Sequence, residues 1–225
     1  AACIVATGDA DAMVTGTTRN YYASLKDIKR VIAIEKEKIL FGLSIMITRT
    51  RTLFIADSTV IHTPTSEQLA DIAVQAANEA KGLGHTPRVA LLSFANFGNP
   101  TMTGTERIHE AKEILNKRKV DFEYDGEMSA DVALNKELLE LYPFSGLSEP
   151  ANILIMPGLH SANIAAKLLG QVGGGQVLGP LLTGFSKPIQ ILPMGANVSE
   201  ILNYAIFAAH DVNNNKSTNK KMKAS

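Results

Sequence analysis

The segment Asp121-Phe-Glu-Tyr-Asp125-Gly-Glu127-Met-Ser-Ala-Asp131-Val-Ala-Leu134 gathers Asp125, Glu127 and Asp131 around one glycine, on the turn between an apolar run and a helix-period stretch. Carboxylates so placed could orient a ligand hydroxyl or act as a base if one of them faces a cleft. They could also be first-turn acids favoured by a helix dipole, and on the bare residues this second reading is the stronger. Ser93-Phe-Ala-Asn96-Phe-Gly98 lies where another apolar run hands over to a helix. Its amides, with the Ser93 and Asn96 side chains, could hold an anion such as phosphate. The alternative is a turn that needs Gly98 for a special backbone angle.

Other constellations are weaker. Asp9 and Asp11 make a poor metal site without further ligands, and no Cys/His cluster has zinc-ligand spacing, so no tightly bound metal is expected. The glycines of Gly170-Gln-Val-Gly-Gly-Gly175 follow a helix instead of opening one, the wrong order for a dinucleotide fingerprint, and no P-loop is present. Among the histidines, His160 follows a strand end and is the cleft candidate, although a helix-start role is the safer reading. His62, His85 and His109 read as surface or loop residues.

The elements that must position these residues alternate between apolar runs and helix-period segments from Gly8 to His210, the ordering of a three-layer α/β/α structure with a mostly parallel sheet. Strands are expected at 53–56, 88–93, 120–124, 152–156, 177–182 and 187–191. Helices are expected after a Thr65-x-x-Gln68 capping box as far as Lys81, after Thr103-Gly-Thr-Glu106, and over 129–141, 160–169 and 198–209. The opening Cys3-Ile-Val5 reads as strand-like, as though cut from something longer, and residues 213–225 read as a disordered tail.

Composition sets the outer bounds. At 225 residues and 45% hydrophobic content, the chain can bury a sizeable core. Basic and acidic residues balance at 22 each, which supplies no field to attract nucleic acid or a membrane surface. The single cysteine, Cys3, cannot form an internal disulfide, and no apolar run reaches membrane-spanning length, so a cytoplasmic protein is expected.

Taken in register, Gly8-Asp-Ala-Asp-Ala-Met, Phe54-Ile-Ala-Asp57, Glu67-Gln-Leu-Ala-Asp-Ile-Ala73, Val89-Ala-Leu-Leu-Ser93, Asp125-Gly-Glu-Met, Asn163-Ile-Ala and Gly179-Pro180 through Lys187-Pro188 resemble the phosphotransacetylase (phosphate acetyl/butyryl transferase) family. The family's usual N-terminal portion has no counterpart. Active members carry a Ser-Arg pair just before the final helix, where this chain has Pro193-Met194. The family's early-helix arginine is matched by Lys26, and its acid near the last helix by Glu200. Lysine attracts phosphate without the bidentate geometry of a guanidinium. These departures resemble the phosphotransacetylase-like C-terminal domain of the large bacterial NADP-dependent malic enzymes.

That resemblance implies an isocitrate dehydrogenase-like, two-lobed architecture with the first lobe truncated. Residues 1–39 and 193–212 would form the partial lobe and residues 40–192 the middle one. It implies an acyl-CoA pocket in a cleft between lobes, lined by Ser93, Asn96, Gly98, Asn163, Gly184 and Lys187, with Lys26 nearby and Lys187 meeting a coenzyme A phosphate. Acetyl-CoA would be an effector, with no cofactor held by this domain. NADP, a divalent metal and the malate chemistry would belong to N-terminal malic enzyme domains of the parent. A homo-oligomer, a dimer through the middle lobe, is expected. An active phosphate acetyl/butyryltransferase is the alternative.

Overall fold

The strand and helix order follows from where apolar residues recur. In the computed structural model the order is α1 (Ala2–Thr7), β1 (Met13–Gly16), α2 (Tyr21–Lys29), β2 (Phe41–Ile47), β3 (Thr52–Ala56), α3 (Ser66–Gly82), β4 (Arg88–Leu92), α4 (Glu106–Arg118), β5 (Glu123–Met128), α5 (Ala130–Leu134), α6 (Lys136–Leu139), β6 (Ile153–Ile155), α7 (Leu159–Val172), β7 (Gln176–Thr183), β8 (Ile189–Leu192) and α8 (Val198–Met222). The structure describes residues 1–99 and 105–222, the last stretch from 215 by its backbone course alone. Two compact units emerge, Phe41–Pro180 and Ala1–Leu40 with Leu181–Ser225.

In the larger unit a six-stranded sheet runs in the order β5-β4-β6-β3-β2-β7. Strands β3, β6, β4 and β5 are parallel, and β2 returns antiparallel on β3 through the 48–51 turn. Because side chains alternate along a strand, Ile55, Ala90, Leu92 and Leu154 point to one face. There they meet Val132 and Ala133 of α5 and Ala162 and Ala166 of α7 in one core cluster. α3 and α4 pack on the β3, β4, β5 and β6 strands and on each other. Leu69, Ile72, Ala73, Ala76, Ala77 and Ala80, the expected stripe of α3, are all fully buried. Small side chains let that helix sit close to its neighbours. Its capping box is present on both sides: Thr65 Oγ1 accepts from Gln68 N at 3.2 Å, and Gln68 Oε1 accepts from Thr65 N at 2.9 Å.

The smaller unit is built on a parallel pair, β1 and β8, in the register Met13↔Ile189 to Gly16↔Leu192. α2 and α8 pack against β8. β8 takes its hydrogen bonds from β1, so residues 189–192 belong with the smaller unit.

Several elements differ from the sequence reading: β1 and β2 were not expected, and the strand expected at 120–124 is β5 at Glu123–Met128. The apolar opening is a helix, α1, stopped by Gly8 in the left-handed conformation at φ 90°, whose amide closes on Ile4 and Val5. The helix expected over 129–141 is split at Asn135, which leaves helical geometry and accepts from Glu137 N at 2.9 Å, so a side chain competes with the backbone. α4 begins after Thr105, which makes no side-chain cap; Thr103, expected to cap it, lies outside the described residues. α8 continues past Ala209 and through most of the expected disordered tail as far as Met222, since no proline or glycine occurs there to break it.

Candidate functional site

Parallel strands direct the loops at their carboxyl ends to one edge of a sheet, where ligands of open α/β folds bind. In the larger unit these loops are 57–64 after β3, 93–99 after β4, Ser129 after β5 and 156–158 after β6.

The loop after β3 is organised by Asp57. Its Oδ1 accepts from Gly42 N (2.8 Å), Thr59 N (2.9 Å) and Val60 N (3.0 Å), and its Oδ2 from Ile61 N (2.6 Å). Burial pushes the pKa of this carboxyl above its usual value, against the lowering effect of those four amides. Beyond it, Asn163 on α7 donates to Ser58 O at 3.1 Å, and Leu159 N donates to His62 O at 3.1 Å. His62 and His160 meet through their Nε2 atoms at 3.0 Å, with rings perpendicular and centroids 4.9 Å apart. One ring must donate and the other accept.

Most amides of the loop after β4 have partners within the chain. Ser93 N is bound to Met128 O, Asn96 N to Asn99 O and Phe97 N to Glu127 O, while Gly98 N donates to Glu127 Oε1 at 3.0 Å. Glu127 is fully buried; its Oε1 also faces His109 Nε2 at 3.2 Å, and among the described residues its Oε2 has no donor. Gly98, at φ 86°, makes the turn. Groups with unused capacity remain. Asn96 Oδ1 accepts from Ser129 N at 2.8 Å, leaving its amide nitrogen without an acceptor among the described residues. Among the described residues the Ser93 hydroxyl oxygen receives only Ala95 N, at 3.4 Å.

Asp125 and Glu127 therefore stand inside β5, not on the turn after it. Gly126 permits this, since a β-carbon there would lie 2.5 Å from Leu91 O. Asp125 is 2% exposed and is paired with Lys112 Nζ at 2.5 Å and with Gly146 N at 2.6 Å. Only Asp131 behaves as the first-turn acid, exposed on α5; the Ser129 hydroxyl beside it, then Val132 N, hold its carboxyl below the usual range.

In the smaller unit, Gly184 (φ 106°) is a close-approach position: a β-carbon there would lie 2.1 Å from Ile39 O. Its carbonyl accepts from Glu35 N at 2.9 Å. Lys187 is half-buried and Lys26 is exposed on α2. Pro193-Met194 leaves β8 with Met194 67% exposed. Glu200 is engaged in a reciprocal cap on α8, Oε2 accepting from Asn197 N at 2.7 Å while Asn197 Oδ1 accepts from Glu200 N at 3.0 Å. The Asn-x-x-Glu spacing carried that signal in the sequence. Arg19 and Arg30, the arginines of this unit, both pair with Asp27.

Burial, then Tyr21 and Glu200, push the Tyr204 phenol far above its ordinary value of about 10. The folded value being raised, the neutral phenol contributes fully below about pH 10 and its contribution is lost as pH rises beyond, because the unfolded chain ionises first. Urea midpoints should thus hold steady below about pH 10 and fall above it, with the fall reduced in Tyr204→Phe.

Histidine pairing was invisible in the sequence, since His62 and His160 stand 98 positions apart. Glu127–His109 was equally hidden, because neither residue type nor local spacing marks the pair.

An open, mostly parallel sheet with its polar loops collected at the carboxyl ends, together with a second unit built on a parallel pair, places the chain in the α/β class. More narrowly, the family model "Phosphate acetyl/butaryl transferase" matches residues 1–209, and the chain belongs to that family. An NADP-dependent malic enzyme of Rhizobium meliloti is 52% identical over 211 residues, covering 94% of this chain and 28% of that protein's length. A phosphate acetyltransferase of Treponema pallidum is 38% identical over 214 residues, covering 90% of this chain and 64% of that protein. Among solved structures, a phosphotransacetylase from Streptococcus pyogenes matches with TM-score 0.88 at 29% identity, covering 93% of this chain and 65% of that one. The chain thus spans little more than a quarter of the malic enzyme it matches. Among the described residues no helix is long and apolar enough to cross a membrane, and no group of three or more His, Cys, Asp and Glu side chains is arranged to hold a metal ion.

Proposed function

We propose that this chain is the C-terminal, phosphotransacetylase-like part of an NADP-dependent malic enzyme, serving assembly and the sensing of acetyl-CoA in the cytoplasm without transferring the acyl group. NADP, a divalent metal and malate would be handled by N-terminal malic enzyme domains. The observation that carries this reading is the state of the three positions at which the family resemblance implies phosphate chemistry. Pro193-Met194 offers no guanidinium, Glu200 is used to cap α8, and Lys26 stands in place of arginine. Identity to the Rhizobium meliloti malic enzyme supports the same parent.

Recognition of a thioester asks less of a site than its phosphorolysis does. The thioester and amide groups of an acyl-CoA need neutral hydrogen-bond partners, which the Asn96 amide nitrogen, the Ser93 hydroxyl and Asn163 can supply. Phosphorolysis needs in addition a dianion held in line for attack, the task for which paired guanidiniums are suited. Lys26 and Lys187 remain as cations of the smaller unit, attractive to phosphate groups but unable to hold them bidentately.

Calorimetric titration of the purified chain with acetyl-CoA should give saturable binding, and sedimentation should give an assembly larger than a monomer. A chain that takes up no acetyl-CoA at millimolar concentration, or that stays monomeric at high protein concentration, contradicts the sensing and assembly parts respectively.

A further inference from the structure

We infer that His62 and His160 form a two-nitrogen site for a divalent transition ion of the zinc, nickel or copper kind, joining the loop after β3 to the start of α7. The loops after β3 and β6 bring the two rings together, because those strands are parallel neighbours in the sheet. Their Nε2 atoms lie 3.0 Å apart. At a metal–nitrogen length of about 2.0–2.1 Å, nitrogens at that separation subtend about 95° at an ion, the angle of adjacent octahedral or square-planar positions. Spreading the pair by about 0.3 Å reaches the tetrahedral angle that zinc prefers. Ring nitrogens facing each other this closely need something between them. It is either a proton, when one ring donates to the other, or a cation that takes both lone pairs.

The surroundings suit the second arrangement. His62 Nδ1 lies 3.0 Å from Thr63 Oγ1, and a proton on Nδ1 donated to that hydroxyl leaves the lone pair on Nε2, the tautomer of a ligating histidine. The backbone beneath both rings is fixed before any ion arrives. Asp57 holds the amides of Thr59, Val60 and Ile61, and Leu159 N donates to His62 O. A β-carbon on Gly158 would lie 3.1 Å from that same carbonyl oxygen, so the turn before α7 packs directly on His62. Both histidines are exposed, which gives an ion open access and leaves its remaining positions to water. Two protein ligands make an exchangeable site, consistent with there being no group of three or more ligating side chains among the described residues. Imidazole selects zinc, nickel and copper, whereas magnesium takes oxygen ligands and keeps its water.

This inference stands apart from the acyl-CoA reading. Zinc chloride and magnesium chloride are titrated separately into the chain carrying no affinity tag, and into His62→Asn, His160→Asn and Thr63→Val, following the histidine ring resonances and the urea midpoint. Zinc should bind one to one in the micromolar range, shift the His62 and His160 rings together and raise the urea midpoint, since the unfolded chain does not hold the pair. Either asparagine variant should bind zinc at least about tenfold more weakly, and Thr63→Val, which takes away the acceptor for Nδ1, about tenfold. The ring resonances locate the ion in the wild type itself, so a variant that folds poorly does not decide the result. The inference is overturned if the wild type takes up no zinc below millimolar concentration, or if zinc leaves these two rings unshifted. It is equally overturned if either asparagine variant binds zinc as the wild type does, or if magnesium shifts both rings as zinc does.

Discussion

Asp57→Ala should destabilise the larger unit by about 3–5 kcal/mol, read as a lowered midpoint in urea unfolding. The carboxylate accepts from the amides of Gly42, Thr59, Val60 and Ile61, and it is 4% exposed, so alanine leaves four amides without their acceptor. Its loop also carries Ser58 and His62, to which α7 is tied through Asn163 and Leu159. Loss of the carboxylate should therefore loosen the attachment of α7 as well as the 57–64 loop. Asp57→Asn should cost less than alanine. It keeps an acceptor for Gly42 and Thr59 and removes a charge whose burial is unfavourable, at the cost of facing Ile61 N with a donor. An asparagine variant no more stable than the alanine one would show that charge, more than hydrogen bonding, holds the loop.

Gly184→Ala is the second large effect, at least about 3 kcal/mol. At φ 106° an L side chain is strained, and the new β-carbon would lie 2.1 Å from Ile39 O and 3.0 Å from Leu40 Cα. Backbone carbonyls do not move aside as flexible side chains do. The hydrogen bond from Glu35 N to Gly184 O should open with it, which amide exchange at Glu35 reports. A variant as stable as the wild type, with Glu35 still protected, would show that the 33–40 segment adapts at little cost.

How much of this was legible in the sequence depended on range. α3 was readable because its cap, its stripe and its stop all lie within its own residues. The tract 121–134 was misread because Asp, Gly and Glu are depleted in strands, and what places them in β5 is remote. Lys112 and Gly146 take up Asp125, Gly98 and His109 take up Glu127, and Leu91 leaves room only for glycine at Gly126. The partners of the 93–98 amides were hidden for the same reason. Phe97 N and Gly98 N go to Glu127, 29 positions from Gly98, and Ser93 N goes to Met128 O. Cys3-Ile-Val5 has the β-branched look of a strand, but in the structure Gly8 closes it as a helix. Glu200 was read for its correspondence to a family acid, while its own Asn197-x-x-Glu200 spacing, a local signal, already marked a cap.

The central proposal is that this chain recognises an acyl thioester while lacking the means to hold phosphate for attack on it. Phosphate-dependent release of free thiol from acetyl-CoA tests this most directly. The purified chain is mixed with acetyl-CoA and orthophosphate, and an active phosphotransacetylase serves as the positive control. The account predicts thiol release no faster than without phosphate, in a chain that calorimetry shows to be loaded with acetyl-CoA. Phosphate-dependent turnover that Asn96→Ala abolishes would contradict it and make the chain an acyltransferase.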